Sequence, residues 1–580
     1  MDSIKSFKGY GKVNAIEDRD FKRNTRRRLI IIGVSAVILL VIIIGAIIGV
    51  LARKSDGGGG SSPTPSPSSS SSSPSTSIRA VCSVTRYPLS CSSSLARTIN
   101  GTDVTDPEEL FKLSLKVAID ELNRVHSIPD SVAAVATDPM VRAALDVCKE
   151  LFVDAIDSLN GSVSSMVSGS LTGSKITDLR TWISAALTDQ ATCLDGLDNT
   201  TGDARAKMEA AMVNSTQFTS NSLAIATKIL DILEKLNIPL HRRRRLLSEE
   251  EDVVVSLKNQ RRLLLWLETA KPNVTVAKDG TGMFRTIQEA VDAAPVKGKN
   301  PFVIYVKEGV YTEYVIVYKN RTNVVLMGDG MYKTIIDGSK NFIDGVPTFA
   351  TATFIADGKM FMAKDMGFKN SAGPQKHQAV AARVKSDRSV FLRCYFDGYQ
   401  DTLYAHTGNQ FYRECDVTGT IDFIFGDAPT VFQNCKIRPR QPLANQQNTV
   451  TAQGRIDENE NTGISIQGCT FSPFGNVTAP TYLGRPWKKY STTVVMKSEI
   501  GGVVNPAGWY SWDGVTTPPD TIYYAEYKNT GPGSDVTGRV KWAGYKPAIS
   551  DEEAARFAVE QFIQGADWLP DTGVMFQSGL

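Results

Sequence analysis

The spacing of apolar positions divides this chain into three parts. An almost uninterrupted apolar run occupies residues 29–52. From about residue 80 to residue 235 apolar positions recur at helical spacing, which predicts amphipathic helices with one buried stripe each. Two such stripes are Phe111, Leu115, Ala118, Ile119 and Leu122, and Ile183, Leu187, Ala191 and Leu194. The pattern predicts a transmembrane segment followed by an all-α four-helix bundle.

A different pattern begins near Asn273 and continues to the end of the chain. Short β-rich runs alternate there with Gly, Asp and Asn, which favour turns. Strands of this length, repeated over about 300 residues, suit one long domain that adds coils without enlarging its cross-section. Clear examples of the predicted strands are residues 302–306, 323–327 and 389–392.

The apolar run has 24 residues, enough to cross a bilayer. Many basic residues precede it, whereas only Arg53 and Lys54 follow directly. This asymmetry predicts a cytoplasmic tail at 1–28, a signal anchor of type II orientation at 29–52, and a lumenal remainder. Residues 53–77 are mostly Gly, Ser, Thr and Pro, which cannot bury a core, so we expect a flexible linker.

The remaining composition fits a secretory route. Eight cysteines divide evenly between the two halves, with no CxxC spacing for zinc. Sequence does not fix their connectivity, but we expect the pairs Cys82–Cys91 and Cys148–Cys193. The formal charge of +3 argues against nucleic-acid binding. Seven N-glycosylation sequons begin at Asn100, Asn160, Asn199, Asn214, Asn273, Asn320 and Asn476.

A 21-residue interval recurs in the C-terminal part. It separates Asp401 from Asp422 and also Cys394 from Cys415, and a similar segment surrounds Cys435. Such spacing is typical of rungs in a parallel β-solenoid, where equivalent positions stack. Neighbouring strands lie roughly 4.8 Å apart. We therefore predict that the two aspartates form a close carboxylate pair.

Two glutamines, Gln378 and Gln400, lie in much the same register as this pair. Like charges at close range raise one pKa, so such a pair can supply one acid and one base or nucleophile. The same spacing also describes a retaining glycosidase, so a chain-cleaving hydrolase or lyase on this fold stays an alternative. The flanking amides suit an acyl oxyanion better. A serine esterase or a metal site has little support, and we predict no cofactor and no metal.

Basic motifs mark the boundary between the helical and β-rich parts. Arg244 and Arg245 end one run, and Arg261 with Arg262 forms a second, each followed by two leucines. An exposed boundary segment is a favoured place for proteolysis. We predict that a processing protease cuts within residues 236–264, which would separate a bundle at 78–235 from a catalytic domain at 265–580.

Residues 182–196, with the four-cysteine spacing of the helical part, resemble the plant invertase and pectin methylesterase inhibitor family. The resemblance implies a protein-binding pro-region whose partner is the chain's own catalytic domain. A role restricted to assisting folding is the alternative.

Five motifs in the C-terminal part together resemble plant pectin methylesterases, also called pectinesterases. The resemblance covers roughly residues 80–580 and implies a right-handed parallel β-helix. It further implies that the mature enzyme, in the extracellular cell wall, hydrolyses methyl esters of pectin (homogalacturonan) to demethylated pectin and methanol. The motifs are Gly309–Glu313, Gln378–Ala381, Gly398–Tyr404, Asp422–Gly426 and Leu483–Trp487.

The same resemblance assigns roles to individual residues. Asp422 would be the nucleophile and Asp401 the proton donor and acid–base, with Gln378 and Gln400 stabilising the oxyanion and transition state. A disulfide Cys415–Cys435 is also implied, as adjacent rungs bring stacked cysteines within reach. Substrate contacts would be Thr348, Gln378, Arg485 and Trp487, with Arg485 pairing with Asp422.

One position departs from the family pattern. Asp427 stands where the family usually has Asn. If its side chain faces the cleft, the extra charge would change the pH optimum. A non-enzymatic inhibitor or wall-binding protein acting through the bundle is a further alternative, but the intact Asp401, Asp422, Gln400 and Arg485 speak against it.

Overall fold

A computed structural model describes residues 76–99, 106–167, 171–198, 200–235 and 270–580. The predicted cytoplasmic tail, anchor, most of the linker, and the four processing arginines lie outside these ranges. Among the helices inside them, none has both the length and the apolar character that a membrane crossing requires.

The described residues between 76 and 235 form the helical bundle. Four of its helices are long, with 19, 29, 23 and 32 residues. The first of these begins at Pro107, where the side chain of Asp106 accepts a hydrogen bond from the backbone of Glu108 and caps the helix. The described helices are α1 (Thr76–Cys82), α2 (Pro88–Ile99), α3 (Pro107–Val125), α4 (Ile128–Ala133), α5 (Pro139–Val167), α6 (Gly173–Asp195) and α7 (Ala204–Lys235).

Two disulfides fix the bundle, and both connect the predicted partners. Cys82–Cys91 joins α1 to α2, and Cys148–Cys193 joins α5 to α6 across 45 residues of sequence. A bond that closes a loop of this size typically contributes about 2–4 kcal/mol to stability. The predicted apolar stripe of α3 is buried along its whole length.

Residues 270–580 form a β domain of three parallel sheets. Sheet 1 has eleven strands, in the order β1 (Val274–Val276), β2 (Phe302–Val306), β5 (Val324–Gly328), β8 (Met362–Lys364), β11 (Ser389–Leu392), β14 (Gln410–Arg413), β17 (Pro429–Gln433), β20 (Gly463–Gln467), β23 (Thr492–Met496), β25 (Tyr523–Tyr527) and β26 (Tyr545–Lys546).

The other two sheets have seven and eight strands. Sheet 2 contains β4 (Val315–Val317), β7 (Phe354–Ala356), β10 (Ala382–Val384), β13 (Leu403–Ala405), β16 (Ile424–Gly426), β19 (Asn448–Gln453) and β22 (Thr481–Gly484). Sheet 3 contains β3 (Gly309–Thr312), β6 (Thr334–Gly338), β9 (Gly367–Asn370), β12 (Tyr395–Asp397), β15 (Asp416–Gly419), β18 (Lys436–Pro439), β21 (Thr470–Phe471) and β24 (Glu499–Ile500).

From β2 to β24, successive strands belong to sheets 1, 3 and 2 in turn, so the β domain is the coil that the 21-residue interval predicts. Within it, Tyr395 pairs with Asp416 and Asp416 with Lys436, which places the preceding cysteines in register. Aromatic rings fill the interior, such as Phe391 and Tyr412, stacked at 4.9 Å. Four short helices complete the described domain: α8 (Ile287–Asp292), α9 (Asp551–Ala555), α10 (Val559–Phe562) and α11 (Gly565–Thr572).

The expected disulfide between Cys415 and Cys435 is wrong, because both are free buried thiols in the structure. The stacking that suggested it is present. Each thiol, however, donates to a carbonyl of the preceding rung, Cys415 to Phe391 at 3.2 Å and Cys435 to Tyr412 at 3.4 Å. Stacking of two cysteines in register is therefore not sufficient to predict a disulfide between them.

Helix α6 is buried on two sides. Ile183 and Leu187 of its predicted apolar stripe lie in the bundle core. Thr188 and Thr192 are also buried, although they are polar. Their face of the helix packs against sheet 2 of the β domain, where it meets Asp427 and His406.

Candidate active site

The two predicted carboxylates meet at one edge of sheet 2. Asp401 precedes β13 and Asp422 precedes β16, and these strands pair through Leu403 and Ile424. The side chains are buried, with exposures of 7% and 5%. Both backbones have positive φ, 62° and 51°, a rare conformation for residues other than glycine and one that recurs at functional sites. The predicted pair is thus formed by equivalent turn residues on adjacent rungs.

Asp422 is held from two directions. Arg485 donates to both of its oxygens, from Nε at 2.9 and 3.1 Å and from Nη2 at 2.6 Å. Thr449 Oγ1 lies 2.6 Å from Oδ1 of the same carboxylate. Charge-assisted, forked contacts of this kind fix the orientation of the carboxylate. The predicted pairing of Arg485 with Asp422 is present in the structure.

Asp401 has a different environment from its neighbour. Burial raises its pKa well above the ordinary value, and the charge of Asp422 raises it further, while Arg485 acts in the opposite direction. Burial, rather than the neighbouring charge, is the larger cause. The site therefore combines a carboxyl group that favours its protonated form with a carboxylate fixed by a guanidinium, which is an arrangement for acid and nucleophile.

A cavity of about 400 Å³ opens beside the pair. It brings together Thr348, Gln378, Gln400, Arg485 and Trp487, all of which the sequence resemblance placed at the site. Further lining residues from the β domain are Phe342, Pro347, Phe349, Tyr404, Phe425, Ala452, Lys488 and Trp512.

Five aromatic residues of this wall were not among the predicted site residues: Phe342, Phe349, Tyr404, Phe425 and Trp512. Tyr404 and Phe425 stack at 4.2 Å, and Trp487 lies 6.3 Å from Trp512 with nearly parallel rings. The 21-residue interval between Tyr404 and Phe425 was available as a signal. Nothing local, however, distinguishes an outward aromatic residue on a solenoid strand from one in its core. Trp512 also accepts a hydrogen bond from Arg485 through its carbonyl at 2.8 Å.

The bundle closes the same cavity from above. Thr192, Asp195, Gly196 and Asp198 line it opposite the carboxylate pair. Lys488 of the β domain contacts Asp195. The apolar core of the bundle is continuous with cavity-wall residues of sheet 2, including Tyr404 and Phe425. The two parts of the chain therefore share one site.

Asp427 faces the bundle, not the cavity. Its carboxylate accepts hydrogen bonds from Thr188 Oγ1 at 2.7 Å and from Gln453 Nε2 at 2.8 Å. Burial raises the pKa of Asp427 to about 6. It follows Asp422 at the far end of β16, so its charge is directed at the contact between bundle and β domain. The side chain of Asp427 therefore does not face the cleft, which was the condition for a direct effect of its charge on the pH optimum.

Comparisons with known proteins agree with this geometry. The pectinesterase family model matches residues 273–566, and the plant invertase/pectin methylesterase inhibitor model matches residues 76–225. The chain is 54% identical to Pectinesterase 1 of Arabidopsis thaliana and 54% identical to Pectinesterase 3 of Phaseolus vulgaris, with all of each chain covered. Pectin methylesterase from carrot is 50% identical, with a TM-score of 0.53 over 54% of this chain and 99% of its own.

The parallel β-helix and its site thus define a carboxylic ester hydrolase. The chain belongs to the pectinesterase family and carries an inhibitor-like helical region ahead of its catalytic domain. It removes methyl ester groups from pectin in the cell wall. The β domain is called the esterase domain from here on.

Proposed function

We propose that Asp422 is the nucleophile of this esterase and Asp401 its acid and base. The observation that carries the proposal is the fork from Arg485 to Asp422, next to a buried Asp401 whose pKa is raised. A carboxylate so oriented can attack the ester carbonyl of a galacturonate methyl ester. The protonated neighbour is placed to assist the leaving group.

In the first step, Asp422 Oδ adds to the carbonyl carbon and the C–O bond to methanol breaks. Asp401 donates its proton to the departing methoxide, which leaves as methanol, and an anhydride joins Asp422 to the polymer. In the second step, Asp401 takes a proton from water as the water attacks the polymer acyl carbon. The anhydride opens, the polymer leaves with a carboxyl group, and both aspartates return to their starting states.

The amide groups of Gln378 and Gln400 supply the oxyanion site in this proposal. Both residues line the cavity that contains the pair. Each well-placed donor typically contributes about 3 kcal/mol to a developing oxyanion. Thr348, Trp487 and Trp512 would contact the sugar rings on either side of the reacting ester. The two tryptophans offer flat aromatic faces, which pack well on sugar rings.

Chain cleavage by a hydrolase or lyase on the same fold is the competing activity. It differs in product, so one experiment separates the two. The esterase domain alone, residues 265–580, is given methylated polygalacturonan, and methanol release is measured together with polymer length. Methanol without shortening supports the proposal, whereas shortening without methanol supports chain cleavage.

We further propose that the bundle inhibits the esterase domain of the same chain until the linker is cut. The four bundle residues that close the cavity support this. A linker of about 30 residues keeps the bundle at roughly millimolar effective concentration. Cutting at Arg244–Arg245 or Arg261–Arg262 would make the contact bimolecular and dilute. The alternative that the bundle serves only in folding predicts no change of activity on cutting.

The apolar run at 29–52 would hold this precursor in a secretory membrane with the N-terminus in the cytoplasm. The excess of basic residues before the run supports that orientation. Protease added to sealed vesicles should then remove only the N-terminal tail. Digestion of the esterase domain under the same conditions would contradict the orientation.

A further inference from the structure

At the contact between the bundle and the esterase domain, the basic residues lie mostly on the esterase domain and the acidic residues mostly on the bundle. Five basic residues of the esterase domain, here called the basic face, meet acidic residues of the bundle. The pairs are Lys319 with Asp154 and Asp157, Arg383 with Glu150, Lys385 with Asp154 and Asp189, Arg388 with Asp178, and Lys488 with Asp195. One described pair, Arg86 with Asp457 at 3.8 Å, has the opposite polarity.

The basic face adjoins the catalytic cavity. Lys488 lines the cavity directly. Arg383 lies in β10 and pairs in register with Tyr404 in β13, which is part of the cavity wall. Lys319 follows β4, the outermost strand of sheet 2. Six strand spacings separate β4 from β22, which is roughly 29 Å at about 4.8 Å per step. The face therefore extends from the β4 end of sheet 2 to the rim of the cavity at Lys488.

Most of these cations depend on the bundle for their ion pairs. Lys385 is 7% exposed, and the two carboxylates described within ion-pair distance of it, Asp154 and Asp189, both belong to the bundle. The carboxylate that pairs with Arg388 belongs to it too. Arg383 differs, because it also lies 3.6 Å from Asp357 of its own domain. Departure of the bundle would expose a row of cations beside a cleft that produces anions.

We propose that the basic face binds the carboxylates of demethylated galacturonate segments, and that the acidic residues of the bundle occupy it in the precursor. The inference rests on the pectinesterase activity, because each hydrolysed ester leaves one carboxylate on the polymer next to the cleft. A row of cations complements a polymer that carries many carboxylates. A chain that is already partly demethylated is then held more firmly than a fully methylated one.

Binding is measured on the esterase domain, which we expect to fold without a bundle, since 99% of the carrot enzyme aligns with only 54% of this chain. The probes are polygalacturonate and fully methylated polygalacturonan of the same length. The variants are Lys385→Gln, Arg388→Gln and their combination. Lys528→Gln is the matched control, because Lys528 pairs with Asp551 and is 58% exposed on sheet 1.

Each single variant is expected to bind polygalacturonate about two- to fivefold more weakly, with the double variant weaker still. Affinity should also depend less on salt. Binding of the methylated polymer and kcat on it should stay at the wild-type level, as should every property of Lys528→Gln. Wild-type affinity of the double variant for polygalacturonate would overturn the proposal and leave the basic face as a docking surface for the bundle.

A second comparison uses the uncut chain, residues 76–580, in which the basic face is covered. It should bind polygalacturonate at least tenfold more weakly than the esterase domain. Equal binding by both would place the polymer elsewhere and reject the proposal. Methanol release by the esterase domain is recorded in parallel, so a failure of the catalytic assignment is seen separately from a failure of this binding site.

Discussion

Arg485 binds Asp422 through two nitrogens, with Nη2 2.6 Å from Oδ2 and Nε 2.9 Å from Oδ1. The same guanidinium lies 4.1 Å above the ring of Trp512 and donates to its carbonyl. One side chain thereby connects Asp422 to the aromatic wall of the cavity. The orientation of the proposed nucleophile and the shape of the cavity are mechanically linked.

Asp422→Asn should reduce methanol release by the esterase domain by roughly 10⁴-fold or more, since it keeps the shape but removes the attacking charge. Asp401→Asn should also be severely impaired, because methoxide leaves poorly without a proton. Thermal melting should show both variants folded. The exposed Asp535→Asn is the control and should be fully active. Substantial turnover by Asp422→Asn would remove it from the role of nucleophile.

Arg485→Lys should lower kcat by roughly 100-fold, because lysine keeps the charge but loses the planar fork. Steady-state kinetics on methylated polygalacturonan test this. Arg438→Lys is the matched control, since Arg438 forms an ion pair with Asp416 at 3.0 Å in sheet 3, away from the cavity. A variant at position 485 with wild-type kcat would mean that the fork does not orient the nucleophile.

The uncut chain, residues 76–580, should be less active than the esterase domain, and proteolysis in the linker should restore the activity. Thr188→Trp in the uncut chain should relieve inhibition without cutting, because the larger ring cannot fit where Thr188 contacts Asp427. Val213→Trp serves as the control, as Val213 is 47% exposed on α7. Equal activity of the uncut and cut wild-type proteins at low concentration would reject inhibition by the bundle.

Inhibition by the bundle should weaken as pH rises. Burial raises the pKa of Asp427 to about 6 and that of Asp189 to about 7 in the docked state. Undocking returns both towards about 4, so docking takes up protons. Its stabilisation by these groups is complete below about pH 4 and is lost as pH rises through about 6 and 7.

His406 acts in the opposite direction, because burial holds its pKa well below the ordinary value. Asp178 and Asp195 of the bundle also have pKa values raised by burial, whereas Asp154, beside Lys385, has a lowered pKa. Carboxyls with a raised pKa therefore outnumber the groups that act against them, and docking takes up protons. The ratio of uncut to cut activity should therefore rise between pH 5 and pH 8. Asp427→Asn should make this rise less steep, because about one proton fewer is taken up on docking. An unchanged slope in that variant would show that Asp427 does not contribute.

Replacing Arg244, Arg245, Arg261 and Arg262 together by Ala should leave a full-length form in the secretory pathway, detected by immunoblotting of cell and wall fractions. The anchor and the bundle would both stay attached to the esterase domain. Delivery of a mature-sized domain to the cell wall by this variant would show that the four arginines are not the processing sites.

Much of the esterase domain could be predicted from its sequence. A solenoid repeats a short interval, so residues such as Asp401 and Asp422 that are equivalent along the chain become neighbours in space. The periodic stripe of α3 followed from similarly local reasoning, whereas the two bundle disulfides were expected as pairs that sequence alone does not fix. Whether Cys415 and Cys435 form a disulfide could not be predicted in this way, because each thiol could either bond to its neighbour or donate to a carbonyl of the preceding rung.

The sequence by itself determined the coil and the carboxylate pair, since these depend on intervals of about one rung, and the family resemblance of the five motifs supplied the other site residues. Only the tertiary structure decided how the bundle lies on the cleft. Thr188 and Asp427 are 239 residues apart, and the polar face of α6 has no local sign that it will be buried. The orientation of the Asp427 side chain, the contact of Trp512 with Arg485 and the position of the basic face against the bundle all depend on such distant contacts. No sequence periodicity encodes them.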